Sequence, residues 1–389
     1  MRRILFTVLY SVLLSVPCFS QGPHVVIPVP AEVQMMEGTY SYASEPDVKI
    51  SMVKKIEGGP ESYVLKVTPK GVVIKASSDA GVFYARQTLR QMTGNGNVKE
   101  IQCCEIKDYP RFPYRGLHVD VSRHFRSVDF LKKQMDAMAR FKMNRMHIHL
   151  TDAAGWRIQI DSYPRLTEFA AWRLQTAWKD WWAGKRLYCD EGTDGAYGGY
   201  YTKEDIKELL AYAKERHIEL IPEIEMPSHS EEVLAAYPEL GCSRAPYKDS
   251  DFCVGSEEVF RFLETVLTEV MEMFPSEYIH IGGDEAPKTR WKTCPDCQRR
   301  IKEVGLKNEE ELQGWFTNEI VDFLARKGRK AIVWNESLKS GLIGNETVVQ
   351  MWMDPKGLSR KSPNAIINSD FYHYYTDYPY SMTPLKKTY

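Results

Sequence analysis

From Gly116 onward, short β-prone runs alternate with amphipathic helical stretches, and this order constrains the fold more than any other feature. The pattern predicts strand 116–121, helix 128–141, strand 145–150, helix 203–216, strand 218–224, helix 257–274, strand 278–281, helix 309–327 and strand 330–334, then short strands 347–352 and 365–368. Repeated βα units in one domain favour a (β/α)8 TIM barrel over an open doubly wound sheet. No G-x-G-x-x-G motif follows an early strand to suggest a dinucleotide fold.

The region before the barrel has a different pattern. Short β runs and one amphipathic helix over 79–92 predict a small α+β domain from residue 21 to 110, ending at a proline-punctuated linker over 108–113. Residues 1–20 resemble an export signal, with a basic start, an apolar stretch over 4–16 and small residues at the cleavage positions. We therefore expect three segments, 1–20, 21–110 and 111–389, and a periplasmic or secreted protein without membrane insertion.

Charge and aromatic content narrow the class of ligand. The 51 basic residues nearly balance the 52 acidic ones, so there is no long-range field to attract nucleic acid or a membrane surface. The nine Trp and 22 Tyr residues suit flat platforms for sugar rings, although many will belong to the core.

Polar and aromatic side chains recur next to the ends of the predicted strands. They are Arg115 before the first strand, and Asp152, His229, Asp284, Glu285, Trp334, Trp352, Tyr375 and Asp377 after later ones. In a barrel of parallel strands, the carboxyl ends form the catalytic face. The series therefore predicts an active site at that face.

The sequence HIGGDE, from His280 to Glu285, places two adjacent acids behind two glycines that would let a ligand approach the backbone. A simple alternative is that the two acids start a loop or cap the next helix. Most glycoside hydrolases need two carboxyl groups facing each other across the scissile bond. Neighbouring side chains on a strand point to opposite faces, so Asp284 and Glu285 could not both flank that bond. The nucleophile would then belong to another strand or to the substrate.

Metal chemistry is the less favoured alternative. His147 and His149 form an H-x-H at a strand end, but later strands offer tryptophans rather than further ligands. Cys294 and Cys297 form a lone C-x-x-C, for which a local disulfide or free thiols are favoured over zinc, and Cys242 with Cys253 is the favoured disulfide. We expect no metal and no cofactor.

Five ordered motifs resemble glycoside hydrolase family 20, the β-N-acetylhexosaminidases. They are RGLHVDVSRHF (115–125), HIHLTDAAGWRIQI (147–160), PEIEMPSHS (222–230), HIGGDE (280–285) and VWNE (333–336). The resemblance covers most of the chain from about Val25. It implies an α+β domain before a (β/α)8 barrel, and an exo-acting retaining hydrolase that removes terminal β-linked N-acetylglucosamine or N-acetylgalactosamine. The 2-acetamido oxygen of the substrate would be the nucleophile, giving an oxazolinium intermediate.

The same resemblance implies a role for each candidate residue. Glu285 would be the general acid and then the base, and Asp284 would orient the acetamide and stabilise its positive charge. The remaining roles are a donor to the acetamide oxygen (Tyr375), a relay to Glu285 (Asp152 and His229), pocket walls (Trp334 and Trp352), and contacts to the sugar hydroxyls (Arg115 and Asp377).

One departure from the family pattern keeps other functions open. The family's barrel closes with an eighth strand carrying another tryptophan, and this strand is expected to be missing here. A degenerate or truncated member that binds amino-sugar glycans with little turnover is therefore the alternative. A related exo-enzyme for disaccharide units would differ only in the depth of the pocket.

Overall fold

The computed structural model describes residues 26–377, 379, 381–382, 384 and 386, so the predicted export signal lies outside the described residues. The chain divides into two compact units, one up to Arg111 and one from Phe112 onward. Within the described residues, no helix combines the length and the apolar character needed to cross a membrane.

The N-terminal unit is a five-stranded sheet with a helix packed on it. Its elements are β1 (Glu32–Ser41), β2 (Val48–Met52), β3 (Tyr63–Thr68), β4 (Gly71–Ala76), α1 (Asp79–Met92) and β5 (Glu100–Asp108). The strand order is β1-β5-β3-β4-β2, and the β2–β4 pair is parallel. Ser78 caps α1 by accepting a hydrogen bond from the amide of Gly81, and Tyr84 and Leu89 of the helix are buried with Leu65 of the sheet.

The C-terminal unit alternates strands and helices. Its strands are β6 (Gly116–Asp120), β7 (Arg145–His149), β8 (Thr151–Asp152), β9 (Gly155–Trp156), β10 (Trp172–Arg173), β11 (Tyr197–Gly198), β12 (Glu219–Glu223), β13 (Tyr278–His280), β14 (Lys330–Trp334), β15 (Val348–Met351) and β16 (Ile366–Asn368). Its helices are α2 (Val128–Arg140), α3 (Arg165–Glu168), α4 (Trp178–Ala183), α5 (Lys203–Lys214), α6 (Glu231–Ala236), α7 (Glu257–Met273), α8 (Pro295–Val304), α9 (Glu309–Arg326), α10 (Leu358–Lys361) and α11 (Phe371–Tyr374).

Seven of these strands form one parallel sheet in the order β6-β7-β12-β13-β14-β15-β16, which confirms the predicted barrel-like α/β class. Each predicted strand agrees with the structure to within one residue at either end. Among the described residues the sheet has no eighth strand, and β6 and β16 are its edges.

Alternation along the strands separates the core from the site. Met146 and Ile148 of β7 join an apolar cluster that also contains Leu131 of α2, whereas His147 and His149 point to the other face. One face of the sheet therefore packs on helices. The other presents polar groups, and its carboxyl edge holds the candidate site.

Candidate active site

Four predicted residues meet at the carboxyl edge of the sheet. Asp152 Oδ1 lies 3.3 Å from His229 Nδ1, and His229 Nε2 lies 3.4 Å from both Asp284 Oδ2 and Glu285 Oε2. The exposed side-chain fraction rises from 3% for Asp152 through 13% for His229 and 17% for Asp284 to 56% for Glu285. The four groups thus connect a buried carboxylate to one that solvent, or a substrate, can reach.

The loop after β13 holds the two acids in place through both glycines. Gly282 has φ +63° and Gly283 φ +107°, a backbone region that favours glycine. A Cβ on Gly282 would lie 1.9 Å from Glu225 Oε2, and one on Gly283 would lie 2.4 Å from Ser337 Oγ. The sequence predicts that the glycines admit a ligand, whereas the structure shows that they admit neighbouring side chains of the protein.

The two acids lie in a loop beyond the strand and are not oriented by it. Strand β13 ends at His280, and Glu285 has φ +48°, so the rule that neighbours on a strand diverge does not apply to this loop. Both carboxylates instead converge on the imidazole of His229 from one side, with oxygens within 4.8 Å. They still do not form a pair on opposite sides of a bond.

Buried charges fix the protonation of the inner groups. Burial alone would raise the pKa of Asp152, but Arg123 and His229 hold it well below its usual range. Burial alone would lower the pKa of His229, but the Asp152 and Asp284 carboxylates raise it well above its ordinary value. His229 is therefore held as an imidazolium that faces Asp284 and Glu285.

Arg123, rather than Arg115, is the arginine of this cluster. Its guanidinium lies 2.6 Å from Asp152 Oδ2 and 2.8 Å from Asp120 Oδ2, and its side chain is 30% exposed. Arg115 precedes β6 and lies at the opposite, amino end of the strand, where it donates to the carbonyls of Lys142 and Phe112. The structure does not bring Arg115 to the candidate site, because a residue before a parallel strand lies at the amino edge of its sheet.

The H-x-H histidines serve a buried carboxylate. His147 Nε2 and His280 Nδ1 each lie 2.9 Å from Glu223, while His118 and His149 lie 3.4 and 3.5 Å from it. Burial lowers the pKa of His147 to about 3, whereas Glu223 and Asp152 overcome burial and raise the pKa of His149 to about 9. Both histidines therefore have carboxylate partners inside the sheet.

A second glutamate lies beneath the loop, in surroundings that favour its protonated form. Burial raises the pKa of Glu225 well above its ordinary value, and the charges of Asp284 and Glu223 raise it further. The sequence did not point to Glu225, because its position two residues after the end of β12 does not show how deeply its side chain is buried. Its contact with Gly282 makes it part of the support for Asp284.

The aromatic residues lie at different depths. The Trp334 indole is 4% exposed and donates from Nε1 to Glu223 Oε1 at 2.8 Å. Trp352 is half-buried, and its Nε1 is a buried donor without a hydrogen-bond partner among the described residues. Asp284 Oδ1 is a buried acceptor that likewise has no partner among them. Unpaired polar atoms of this kind are expected where a ligand supplies the missing partner.

Two further candidate residues, Tyr375 and Asp377, follow β16, the seventh strand of the sheet. Tyr375 is half-buried and packs edge-on against Phe371 at 5.3 Å, whereas Asp377 is exposed. Burial raises the pKa of Tyr375, and the negative charge of Asp284 raises it further, so the hydroxyl keeps its proton and remains a donor.

Comparison with known proteins assigns the chain to a family. Residues 112–389 match the model of the glycosyl hydrolase family 20 catalytic domain, and residues 39–109 match domain 2 of the same family. The chain belongs to glycosyl hydrolase family 20.

Individual family 20 members are similar over most of this chain. A β-hexosaminidase of Porphyromonas gingivalis is 41% identical over 320 residues, which cover 78% of this chain and 39% of that protein. The β-N-acetylhexosaminidase of Bacteroides fragilis superposes with a TM-score of 0.77 at 31% identity, over 92% of this chain and 79% of that one. A Streptomyces plicatus β-hexosaminidase mutant, in complex with product GlcNAc, superposes with a TM-score of 0.72 at 28% identity, over 92% of this chain and 77% of that one.

The family 20 relatives are longer than this chain. It spans 39%, 65% and 48% of the length of three curated β-hexosaminidases that it matches.

Proposed function

We propose that this chain is an exo-acting, retaining β-N-acetylhexosaminidase that releases terminal β-linked GlcNAc or GalNAc. The observation that carries the proposal is the exposed Glu285 beside Asp284, both held by one buried His229–Asp152 pair. Membership of family 20, and the GlcNAc complex of the Streptomyces plicatus relative, support an amino-sugar substrate.

Glu285 is the group that exchanges protons with solvent and substrate. In the first step it donates its proton to the glycosidic oxygen as the bond to the anomeric carbon breaks. In the second step it takes a proton from the attacking water, which restores the acid. General acid–base catalysis of this kind contributes on the order of 10²- to 10⁴-fold. Because His229 is an imidazolium 3.4 Å away, it can stabilise the carboxylate form between the steps.

Burial supports a nucleophile supplied by the substrate. Three carboxylates near Glu285 are sealed from a sugar, since the side chains of Asp152, Glu223 and Glu225 are 3%, 0% and 1% exposed. The acetamido oxygen, already attached at carbon 2, can reach the anomeric carbon instead. A tethered nucleophile of this type can lower a barrier by up to roughly 7–11 kcal/mol.

Asp284 and Tyr375 are positioned to hold that acetamide. The buried, unpaired Asp284 Oδ1 can accept from the amide N–H and stabilise positive charge as the oxazolinium ring closes. Tyr375 keeps its proton and can donate to the acetamide oxygen. Trp334 and Trp352 supply walls for the sugar, and Arg123 is the candidate contact for its hydroxyls.

The test compares release of 4-nitrophenol from the N-acetyl-β-glucosaminide and from the plain β-glucoside. Wild-type enzyme should cleave the first much faster, and Asp284→Asn should reduce that preference through kcat. Glu277→Gln is a matched control, since Glu277 is an exposed acid next to the amino end of the same strand, paired with Lys330. It should keep the wild-type rate.

Three outcomes would contradict the proposal. Equal cleavage of the two glycosides would rule out attack by the acetamide, and an α-configured first product by NMR would rule out retention. Wild-type release no faster than that of Glu285→Gln would favour a sugar-binding protein with little turnover.

A further inference from the structure

Four cysteines of the C-terminal unit meet away from the acid pair. Cys253 Sγ lies 3.5 Å from Cys294 Sγ and 3.8 Å from Cys297 Sγ, and Cys242 Sγ lies 3.8 Å from Cys297 Sγ. All four sulfur atoms lie within 4.8 Å of one another. The pairing predicted between Cys242 and Cys253 is not formed, since all seven described cysteines are free.

The sulfur geometry matches a metal site. With a zinc–sulfur bond of about 2.3 Å, the edge of a regular tetrahedron is roughly 3.8 Å. The three sulfur–sulfur distances of 3.5, 3.8 and 3.8 Å lie close to that value, whereas a disulfide needs about 2.05 Å. Four sulfurs in tetrahedral arrangement select zinc or iron among common metals.

The surroundings favour negative charge on the sulfurs. Cys294 is the N-cap of α8, Pro295 is its first residue and Cys297 lies in its first turn, where the helix dipole stabilises thiolates. Arg244 Nη2 lies 4.0 Å from Cys253 Sγ and 3.0 Å from Asp296 Oδ2.

The cluster is a built part of the core. Cys253 and Cys297 are fully buried, Cys294 is nearly so, and all three belong to the main apolar cluster with Trp291. The two chain segments also touch at Gly255, where a Cβ would lie 2.4 Å from the carbonyl carbon of Asp296. The backbone therefore brings the two cysteine pairs together without help from a disulfide.

We propose that Cys242, Cys253, Cys294 and Cys297 bind one structural zinc ion as a tetrahedral four-cysteine site. Binding would convert four thiols to thiolates with release of four protons and no change of oxidation state. The resulting charge of the site is offset by Arg244 and by the N-terminus of α8. In the sequence, Cys294 and Cys297 stand as a lone C-x-x-C. The fold supplies the second pair, Cys242 and Cys253, which lie 41 or more residues before Cys294 in the chain.

The zinc would join the two loops that support the catalytic groups. The loop 241–256 contacts the segment after Glu285 through Trp291 Nε1, which donates to Phe252 O at 2.9 Å, and through Lys288 N, which donates to Asp251 Oδ2 at 3.0 Å. The amide of Phe252 also donates to Pro227 O, two residues before His229. Zinc therefore acts at a distance, by positioning the loops and not by touching the substrate.

The primary test is metal content of the full chain purified without chelators. Elemental analysis should find about one zinc per chain in the wild type and a loss of zinc, with a lower Tm, in Cys297→Ser and Cys294→Ser. Cys189→Ser is the matched control, because Cys189 is a free, partly buried cysteine outside the cluster. It should retain the metal.

A second measurement uses only wild-type protein, in case the variants fail to fold. X-ray absorption should fit four sulfur ligands at about 2.3 Å around zinc. Cobalt substitution should give thiolate-to-cobalt charge-transfer bands. Two disulfides in a non-reduced peptide map, iron in place of zinc, or full zinc retention in Cys297→Ser would each overturn the proposal. None of these readouts depends on glycosidase activity.

Discussion

Replacing Gly282 by alanine tests how the acid pair is positioned. Its φ of +63° costs a non-glycine residue roughly 1–2 kcal/mol. The new Cβ would also lie 1.9 Å from Glu225 Oε2, and the Glu225 side chain is only 1% exposed, so its carboxyl is enclosed by other atoms of the protein. Overpacking of a buried site typically costs another 1–3 kcal/mol or so. We expect Gly282→Ala to lower the free energy of unfolding by about 2–5 kcal/mol, measured by urea denaturation.

Activity should fall by more than stability suggests. Since real Cβ contacts are not found under 3.0 Å, the loop or Glu225 must shift by about 1 Å. Asp284 lies two residues further along the same loop. A misplacement of about 1 Å in a catalytic group costs on the order of 10²-fold. With the 4-nitrophenyl N-acetyl-glucosaminide, kcat should therefore drop roughly 10²-fold.

Two further variants separate backbone strain from the close contact. Gly305 has φ +78° at the end of α8, and a Cβ there would meet nothing within 4 Å, so Gly305→Ala should cost only the roughly 1–2 kcal/mol of strain and leave kcat unchanged. Glu225→Asp shortens the opposing side chain, and in the Gly282→Ala background it should restore part of the lost kcat. If Gly282→Ala instead behaves like Gly305→Ala in both assays, the packing argument is refuted.

Three other predictions concern charge. Arg123→Ala should lower kcat/KM roughly 10- to 100-fold, the effect of losing a hydrogen bond to a charged group, while Arg115→Ala should leave it near wild type. Asp152→Asn removes the charge that raises the pKa of His229, so the limb of the pH–kcat profile that reports this imidazolium should move to lower pH. Burial raises the pKa of Glu231 from 4.5 to about 7, so its folded form retains a proton that the unfolded chain loses. Stability should decline between these pH values by at most about 3 kcal/mol, and urea titrations of Glu231→Gln should show a flatter decline.

Hydrophobic periodicity was sufficient to predict where the barrel strands lie in the sequence. Residues 330–334 and 145–150 are short β-prone runs that each follow a helical pattern, and packing of the strands in chain order follows from the βα alternation. The strand β1 and the helix α8 were not predicted, since β1 is exposed along most of its length and the buried face of α8 consists of only Cys297 and Ile301.

The site was predicted in part. The sequence shows which residues follow a strand, but it does not show how deeply each side chain is buried. Counting residues from strand ends was enough to select Asp152, His229, Asp284 and Glu285. It could not distinguish Arg115 from Arg123, which flank the same strand at opposite ends. The meeting of Cys253 with Cys294 was also beyond reach, since a helix and a strand separate them in the chain.

The single carboxylate of Glu223, shared by four imidazoles, has a consequence for acid tolerance. Although burial would raise its pKa, the surrounding histidines hold it well below the ordinary glutamate range. A group with a depressed pKa in the folded state stabilises the fold until the pH falls through that low value. Glu225 and Glu232, whose pKa values are raised, favour the folded chain in its protonated form. The stability that Glu223 contributes is therefore lost only at a pH well below the ordinary glutamate range, whereas the contribution of Glu225 and Glu232 declines as the pH rises.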